Sequence, residues 1–416
     1  MTVAGVMARR VVASLYGRNY RLYFGGQLIS VAGTWMQSVA QSFLVLDLTH
    51  SGTQLGLTTA ARFGPMLAFG PLGGLFADRR DKRRVLYATQ TAAALLAGVF
   101  AVLTGTGSIR LWMVYPLAIA LGFVNTFDNP ARQAFISELV EPDDLANAVT
   151  LNSVAMNMAR VFGGAVGGAV TATLGLAACF AANAVSYVAV LASLAMMREL
   201  RPPRPVRARP GQVVEGLRYV RSTPGLLVPL LMVAVVGTLA WEFPVTLPLM
   251  ASQVFGRGPA AYGMMSATIG VGACAGGLVA AARRRPGGLA AASAGWGIAI
   301  TLAAIASSMW LELAALLFVG YGSITFNSYA KTELQTVAAP RMRGRVMSLW
   351  SMAWMGSTPV GGPVVGWIGQ AAGPRWALGV GGLTCLGCGL LVHRRRWPPS
   401  PAYVHGTSRM KIIEGE

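Results

Sequence analysis

Acidic and imidazole side chains are scarce in this chain. Its 416 residues include 15 Asp and Glu and 3 His, and charged residues of both signs make up 12%, against about 25% in ordinary soluble domains. Acid–base catalysis inside an apolar framework needs a positioned carboxylate pair or a histidine. His50, His393 and His405 fall at the ends of apolar stretches or in the tail, which argues against an intramembrane histidine relay or a histidine-held metal. The four cysteines, Cys179, Cys274, Cys385 and Cys388, all lie within apolar stretches. Cys385-x-x-Cys388 has no second Cys pair to complete a ligand set and reads as small packing residues rather than a metal or redox site. No G-x-x-x-x-G-K-S/T loop occurs, so the chain does not itself drive work by hydrolysing ATP. The opening shows no compact apolar run ending in a cleavage site, so no removable signal peptide is expected. Neither an enzyme nor a cofactor is indicated.

Apolar residues and positive charge fill the space. Hydrophobic side chains make up 54% and the formal net charge is +19. Of 34 Lys and Arg, 29 sit in every second gap between long apolar stretches, at 9–21, 79–84, 132, 198–221, 283–285, 331–345 and 394–411. The intervening gaps hold Arg110, Arg257 and Arg375, while Arg62 and Arg160 lie inside apolar stretches. Basic loops stay on the cytoplasmic side during insertion, so the alternation predicts an even number of spans with both termini inside. A nucleic-acid module would gather its charge on one face with aromatics between. Here the charge is divided among short loops, and anionic lipid headgroups are the expected counter-charge.

Twelve segments are long enough to cross about 30 Å of hydrocarbon as helices: 22–46, 53–76, 85–104, 111–127, 148–171, 176–197, 226–250, 260–282, 289–307, 311–327, 346–369 and 376–392. Midway, Arg201, Arg204, Arg207 and Arg209 alternate with Pro202, Pro203, Pro205 and Pro210. This predicts an extended basic linker with a short surface helix at 212–219. The expected domains are a six-helix bundle at 1–197, the linker at 198–222, a second bundle at 223–396 and a cytoplasmic tail at 397–416.

The two halves repeat each other. Residues 142–168 match 340–366 at a constant offset, with identities that include Pro142/Pro340, Leu151/Leu349, Gly163/Gly361, Gly164/Gly362 and Gly168/Gly366. A second block pairs Gly73-Gly74-Leu75-Phe76-Ala77 with Gly276-Gly277-Leu278-Val279-Ala280. Parallel repeats of six spans point to a two-bundle transporter with its site at the interface near the midplane.

Between the second and third spans, Gly74-Leu75-Phe76-Ala77-Asp78-Arg79-Arg80-Asp81-Lys82-Arg83 resembles the major facilitator superfamily pattern G-x-L-x-D-R-x-G-R-R, with Asp81 in place of the second Gly. Gly26-Gln27-Leu28-Ile29-Ser30 and Gly33-Thr34-Trp35-Met36-Gln37, with Asp128-Asn129-Pro130-Ala131-Arg132-Gln133, resemble the superfamily branch of enterobactin (siderophore) export and macrolide efflux. The resemblance spans roughly residues 18–395. It implies the major facilitator fold, an all-α membrane protein of two pseudo-symmetric six-helix bundles in the bacterial inner membrane, acting as a monomer by alternating access. It also implies a conformational latch of Gly74, Asp78, Arg79, Lys82, Arg83 and Asp128, with Asp78 meeting the start of the eleventh span near 347–349 in the outward-open state. Gly163-Gly164-Ala165-Val166-Gly167-Gly168 resembles the antiporter pattern G-P-x-x-G-G, associated with export. Gly163, Gly164 and Gly168, with Gly362 and Pro363 in the eleventh span, are the expected points of helix bending.

Polar residues inside spans are costly in hydrocarbon and usually face a cavity. Gln27, Ser30, Thr34, Gln37, Ser38 and Gln41 recur at steps of three and four, one helical face of the first span. Ser153, Asn157, Arg160 and Gly164 repeat the arrangement in the fifth span, Thr238, Glu242 and Thr246 in the seventh, and Ser348, Ser351, Trp354 and Thr358 in the eleventh. Arg62 and Arg160 either receive an anionic group of the substrate or bond backbone carbonyls and an acidic neighbour. Glu242 reads as the only carboxylate well inside a second-half span. It is the first candidate to carry a coupling proton and Asp128 the second; the alternative for Glu242 is a fixed partner of Arg62 or Arg160. Gln27, Thr34, Gln37, Gln41, Arg62, Asn157, Arg160 and Trp354 are the expected cavity wall. Together these features predict a proton-coupled exporter of a small amphipathic organic molecule, siderophore-like or drug-like. The alternatives are an uptake permease of the same superfamily and, more distantly, a lipid-modifying membrane enzyme.

Overall fold

The computed structural model describes residues 13–198, 212–282 and 288–394. The basic stretch 199–211, Arg283 to Arg285 and the tail from 395 lie outside them. Six helices form the first half: α1 (Arg18–Thr49), α2 (Gly52–Arg79), α3 (Lys82–Gly105), α4 (Leu111–Leu139), α5 (Leu145–Leu174) and α6 (Leu176–Ala195). A short amphipathic helix, α7 (Gln212–Ser222), precedes the second half. That half comprises α8 (Pro224–Ala240), α9 (Phe243–Leu249), α10 (Pro259–Ala282), α11 (Leu289–Ile305), α12 (Met309–Val337), α13 (Arg343–Met355), α14 (Thr358–Ala371) and α15 (Pro374–Arg394).

Among the described residues there is no strand. Eight helical segments are long and apolar enough to cross a membrane: α1, α3, α4, α6, α10, α12, α15 and the column of α8, α9 and the π-helical turn Met250–Val254. The other four expected spans fall short for visible reasons. Helix α2 carries Arg62 and α5 carries Asn152, Asn157 and Arg160; α11 is short, and α13 and α14 are parted at Gly356 and Ser357.

Local chemistry sets the helix ends. The Ser51 side chain accepts from the Gln54 N–H and starts α2, while His50 takes a left-handed conformation at φ 52° to close α1. Asp81 accepts from the backbone N–H groups of Arg83 and Arg84 and starts α3. The residue that departs from the loop pattern is thus an N-cap, the role a short carboxylate fills best.

Helix α1 packs on α5 and α6, α3 on α4 and α6, and α2 on α4; in the second half α11 packs on α15 and α12 on α10. The halves meet along two seams, α2 with α14 and α5 with α10. Both depend on glycine. A Cβ at Gly56 would lie 2.2 Å from the Gly362 carbonyl oxygen, and one at Gly366 would lie 2.3 Å from that of Gly52. Likewise a Cβ at Gly263 would lie 2.5 Å from the Gly164 oxygen, and one at Gly168 would lie 2.7 Å from the Pro259 oxygen. The seams lie towards the end of the molecule opposite the chain termini, the far end. Val39 and Phe43 of α1 add to the closure there by packing in one apolar cluster with Tyr262 and Met265 of α10.

Helix α7 rides on the second half. Val220 packs with Leu226, Leu334, Val346 and Leu349, Glu215 pairs with Arg345, and the Tyr219 hydroxyl accepts from the Ala339 N–H at 3.2 Å.

Two stability contrasts follow from this packing. A Cβ at Gly272 would sit 1.9 Å from the Leu317 oxygen, whereas one at Gly277 would meet only the Ile324 Cγ2 at 3.8 Å. Gly277→Ala is expected to be neutral or to gain up to about 1 kcal/mol of helix propensity, and Gly272→Ala to lose about 1–3 kcal/mol through overpacking. Thermal unfolding of the purified protein in detergent reads both. In the same assay, Glu138→Gln, which strands the enclosed Lys82 ammonium now 2.8 Å from Glu138, is expected to cost about 3 kcal/mol. Arg345→Gln, at an exposed pair, is expected to cost under about 1 kcal/mol.

Candidate functional site

A cavity of about 400 Å³ lies between the halves, reaching from Gln41 and Ser42 near the far end to Asp128 and Arg132 nearer the termini. Helices α1 to α6 supply almost all of its wall; from the second half comes Pro244, at the start of α9. The α1 stripe faces it through Ser30, Thr34, Ser38, Gln41 and Ser42.

Two guanidinium groups line this cavity without a carboxylate partner among the described residues: Arg62 on α2 and Arg160 on α5. The Nε of each is buried and makes no hydrogen bond. The Arg160 guanidinium lies 4.6 Å from the Trp35 ring centroid and 5.8 Å from that of Trp241. It is therefore held by indoles of both halves, an arrangement that fixes the plane of the guanidinium while leaving N–H donors for a ligand.

The third cavity arginine is neutralised. Arg132 lies 3.6 Å from Asp128 and donates to Asn129 at 2.6 Å and to Gln27 at 3.2 Å. Asp128 also accepts from Thr89 at 2.7 Å and from Gln90 at 2.8 Å. The sequence reading ends the fourth span before Asp128, but α4 continues through Pro130 to Leu139. That puts Asp128 and Arg132 one turn apart on a helix; their i, i+4 spacing is the signal that marks the pair.

Other expected site residues are placed as follows. Asn157 lines the cavity at a half-buried position. Gln27 is buried beneath Arg132, and Gln37 is buried accepting a hydrogen bond from Asn183 of α6. Trp354 is 4.8 Å from Trp241, ring to ring, in an aromatic cluster with Trp296 and Phe326. Lys82 pairs with Glu138, and Arg83 donates to the carbonyl oxygens of Leu194 and Met197 at the end of α6. Arg79 is exposed at the end of α2. Space around a Cβ at Gly74 is open. The Asp78 side chain lies outside the described residues. Helix α5 runs unbroken through Gly163, Gly164 and Gly168, and α14 through Gly362 and Pro363. Gly163 lets α5 approach Ala32 and Trp35 of α1.

Glu242 occupies the interruption between α8 and α9 and is 1% exposed. It forms no ion pair with Arg62 or Arg160, and its carboxylate oxygens sit beside Thr358 without a hydrogen bond of normal geometry. Glu312 is a second fully buried carboxylate of the second half, with neither oxygen hydrogen-bonded. It lies in the first turn of α12. In sequence it stands at the edge of a span, where carboxylates are ordinary.

The chain shares its fold with known transporters. It matches solved structures at 12–16% identity: the nucleoside transporter NupG, covering 91% of this chain and 98% of that one with a TM-score of 0.75, and a bacterial homologue of the iron transporter ferroportin in an inward-facing state, covering 91% and 98% with a TM-score of 0.69. Enterobactin exporter EntS of Shigella flexneri is 26% identical over 395 residues, 92% of this chain and 94% of that protein. The staphyloferrin A transporter of Staphylococcus aureus is 27% identical over 173 residues, 41% of this chain; the match spans less than half, 44%, of that transporter. The sequence profile of the family described as transmembrane secretion effector matches residues 11–411. The chain belongs to that family, a branch of the major facilitator transporters and not a family of enzymes.

Proposed function

We propose that the chain is a proton-coupled exporter of a mid-sized, amphipathic organic anion, siderophore-like, working by alternating access. The observation that carries this reading is the pair of cavity guanidinium groups with no carboxylate to neutralise them among the described residues. A buried cation without a counter-charge is expensive, so Arg62 and Arg160 are best understood as waiting for an anionic ligand. The flanking Trp35 and the apolar wall at Val31, Phe63 and Met66 suit an aromatic or aliphatic body. Export, rather than uptake, agrees with the role of EntS as an enterobactin exporter.

In this reading the protein is a monomer with twelve spans in a bacterial inner membrane, both termini are cytoplasmic, and anionic lipids meet its basic loops. The cavity then faces the cytoplasm with the far end shut. Asp78, with Gly74, Arg79, Lys82, Arg83 and Asp128, would latch the opposite state, when the termini end closes. Gly163, Gly164, Gly168, Gly362 and Pro363 would permit the bending between states. Protonation of Glu242, with Asp128 as the second candidate, would link transport to the proton gradient. One charge crossing 100 mV is worth about 2.3 kcal/mol.

Inside-out vesicles with an acidic interior test the coupling, using enterobactin, staphyloferrin A, erythromycin and ethidium as probes. Accumulation of an anionic probe should require the gradient and be lost in Glu242→Gln; accumulation that ignores both the gradient and the substitution would overturn the proposal. Each cavity arginine should contribute about 1.5–3 kcal/mol through charge-assisted hydrogen bonds. Arg62→Gln and Arg160→Gln should therefore weaken binding of the anionic probe about 10- to 100-fold while leaving ethidium unaffected. Equal loss for both probes would mean that the arginines are structural.

A further inference from the structure

Glu242 does not face the cavity in which the substrate would bind. The cavity wall includes its second neighbour along the chain, Pro244, but not Glu242 itself. The carboxylate instead points into the α2–α14 seam. A Cβ on Gly361 would stand 2.9 Å from its Oε1 and one on Gly362 would stand 3.6 Å from its Oε2, and this second position also touches the Gly56 oxygen and the Thr59 Cβ of α2. Glycines Gly52, Gly56, Gly362 and Gly366 continue the seam to the far end. Two helix interruptions converge here, since a Cβ at Gly237 of α8 would lie 2.8 Å from the Ser357 Oγ at the α13–α14 break.

The electrostatic setting is spare. Helices α8 and α14 bring no charged group. Arg62 on α2, Asp47 on α1, Tyr262 and Cys274 on α10 and Arg375, Cys385 and Cys388 on α15 are the titratable or charged residues that the packed helices hold away from the termini end, and none is paired with Glu242. Arg160 of α5 lies over Trp241, the residue preceding Glu242, and forms no ion pair with the carboxylate. An ionised carboxylate in such a place requires water or a cation, and the seam, which its two oxygens border, is a boundary along which either can arrive. At Gly52, Gly56, Gly362 and Gly366 backbone meets backbone with no bulky side chain between, while at the far-end mouth the Gln370 side chain of α14 accepts from the Ser51 hydroxyl and the Thr53 N–H of α2; opening the seam to water means parting that polar contact.

From this geometry we propose that Glu242 exchanges its proton along the glycine seam from the far end, rather than through the substrate cavity. Proton and substrate then occupy separate compartments. They communicate through the Trp241–Glu242 helix break, where one residue stacks on Arg160 and the next lies in the seam. The proposal rests on Glu242 as the coupling group but concerns its access route.

A membrane-impermeant cationic carbodiimide, added to one face or the other of oriented proteoliposomes, reads that route directly; peptide mapping by mass spectrometry locates the adduct. Modification of Glu242 is expected from the far side and not from the termini side, and Gly56→Ala, which props the seam apart, should accelerate it several-fold. Glu242→Gln should remove the adduct. Modification from the termini side at a rate indifferent to Gly56→Ala would overturn the proposal. So would far-side modification that Gly56→Ala does not accelerate. Gly277→Ala serves as the matched helix-glycine control, and circular dichroism with size-exclusion elution verifies that Gly56→Ala is folded. Vesicle transport by Glu242→Gln separates the two ideas: gradient-driven transport that survives it removes the coupling role while leaving the labelling result, and the access route it reports, intact.

Discussion

Backbone touching backbone at the far end is the contact on which the rest of the molecule depends. In a membrane there is little hydrophobic gain from bringing helices together, so close packing and backbone polar contacts decide how they associate. Gly56 against Gly362 and Gly263 against Gly164 bring main chains within reach that any side chain would forbid. Closure at that end leaves the opposite part of the interface free to form a cavity. It also leaves polar residues such as Asn157 of α5 half-buried along the cavity wall.

The two halves share an ancestry visible in sequence, yet they have divided the chemistry. Cations and hydrogen-bonding groups line the cavity from the first half, whereas the second half contributes an aromatic cluster and the two enclosed carboxylates, Glu242 and Glu312. Equivalent glycines still serve equivalent seams: Gly168 meets α10 as Gly366 meets α2. Packing has been conserved between the repeats where polar function has not.

That division explains what could be read from residues alone. Close approach demands glycine, so Gly163/Gly361 and Gly168/Gly366 survive as a repeat. The α1 stripe is legible because its polar residues recur at helical spacing. Periodicity could not separate Thr34 and Gln41, which face the cavity, from Gln27 and Gln37, which tie helices together; both kinds lie on inward faces. The interruptions at Trp241–Glu242 and Gly356–Ser357 are each followed by a proline in the first turn of the next helix, Pro244 and Pro359, but Pro229 and Pro363 sit inside unbroken helices, so proline alone does not mark the breaks. Lys82 is a further case: its position in a basic loop motif hides a partner, Glu138, that lies far along the chain on α4. Asp81 shows the reverse, a departure from the family pattern whose meaning is local and was available from its place ahead of a helix.

The stacking of Arg160 between Trp35 and Trp241 has an optical consequence. The two indoles belong to opposite halves, and both press on the same cation. Any rocking of one bundle against the other must change at least one of these contacts, and with it the polarity and quenching that each indole experiences. The protein thus carries an intrinsic fluorophore pair at the point where its halves meet, able to record their relative motion without an attached label.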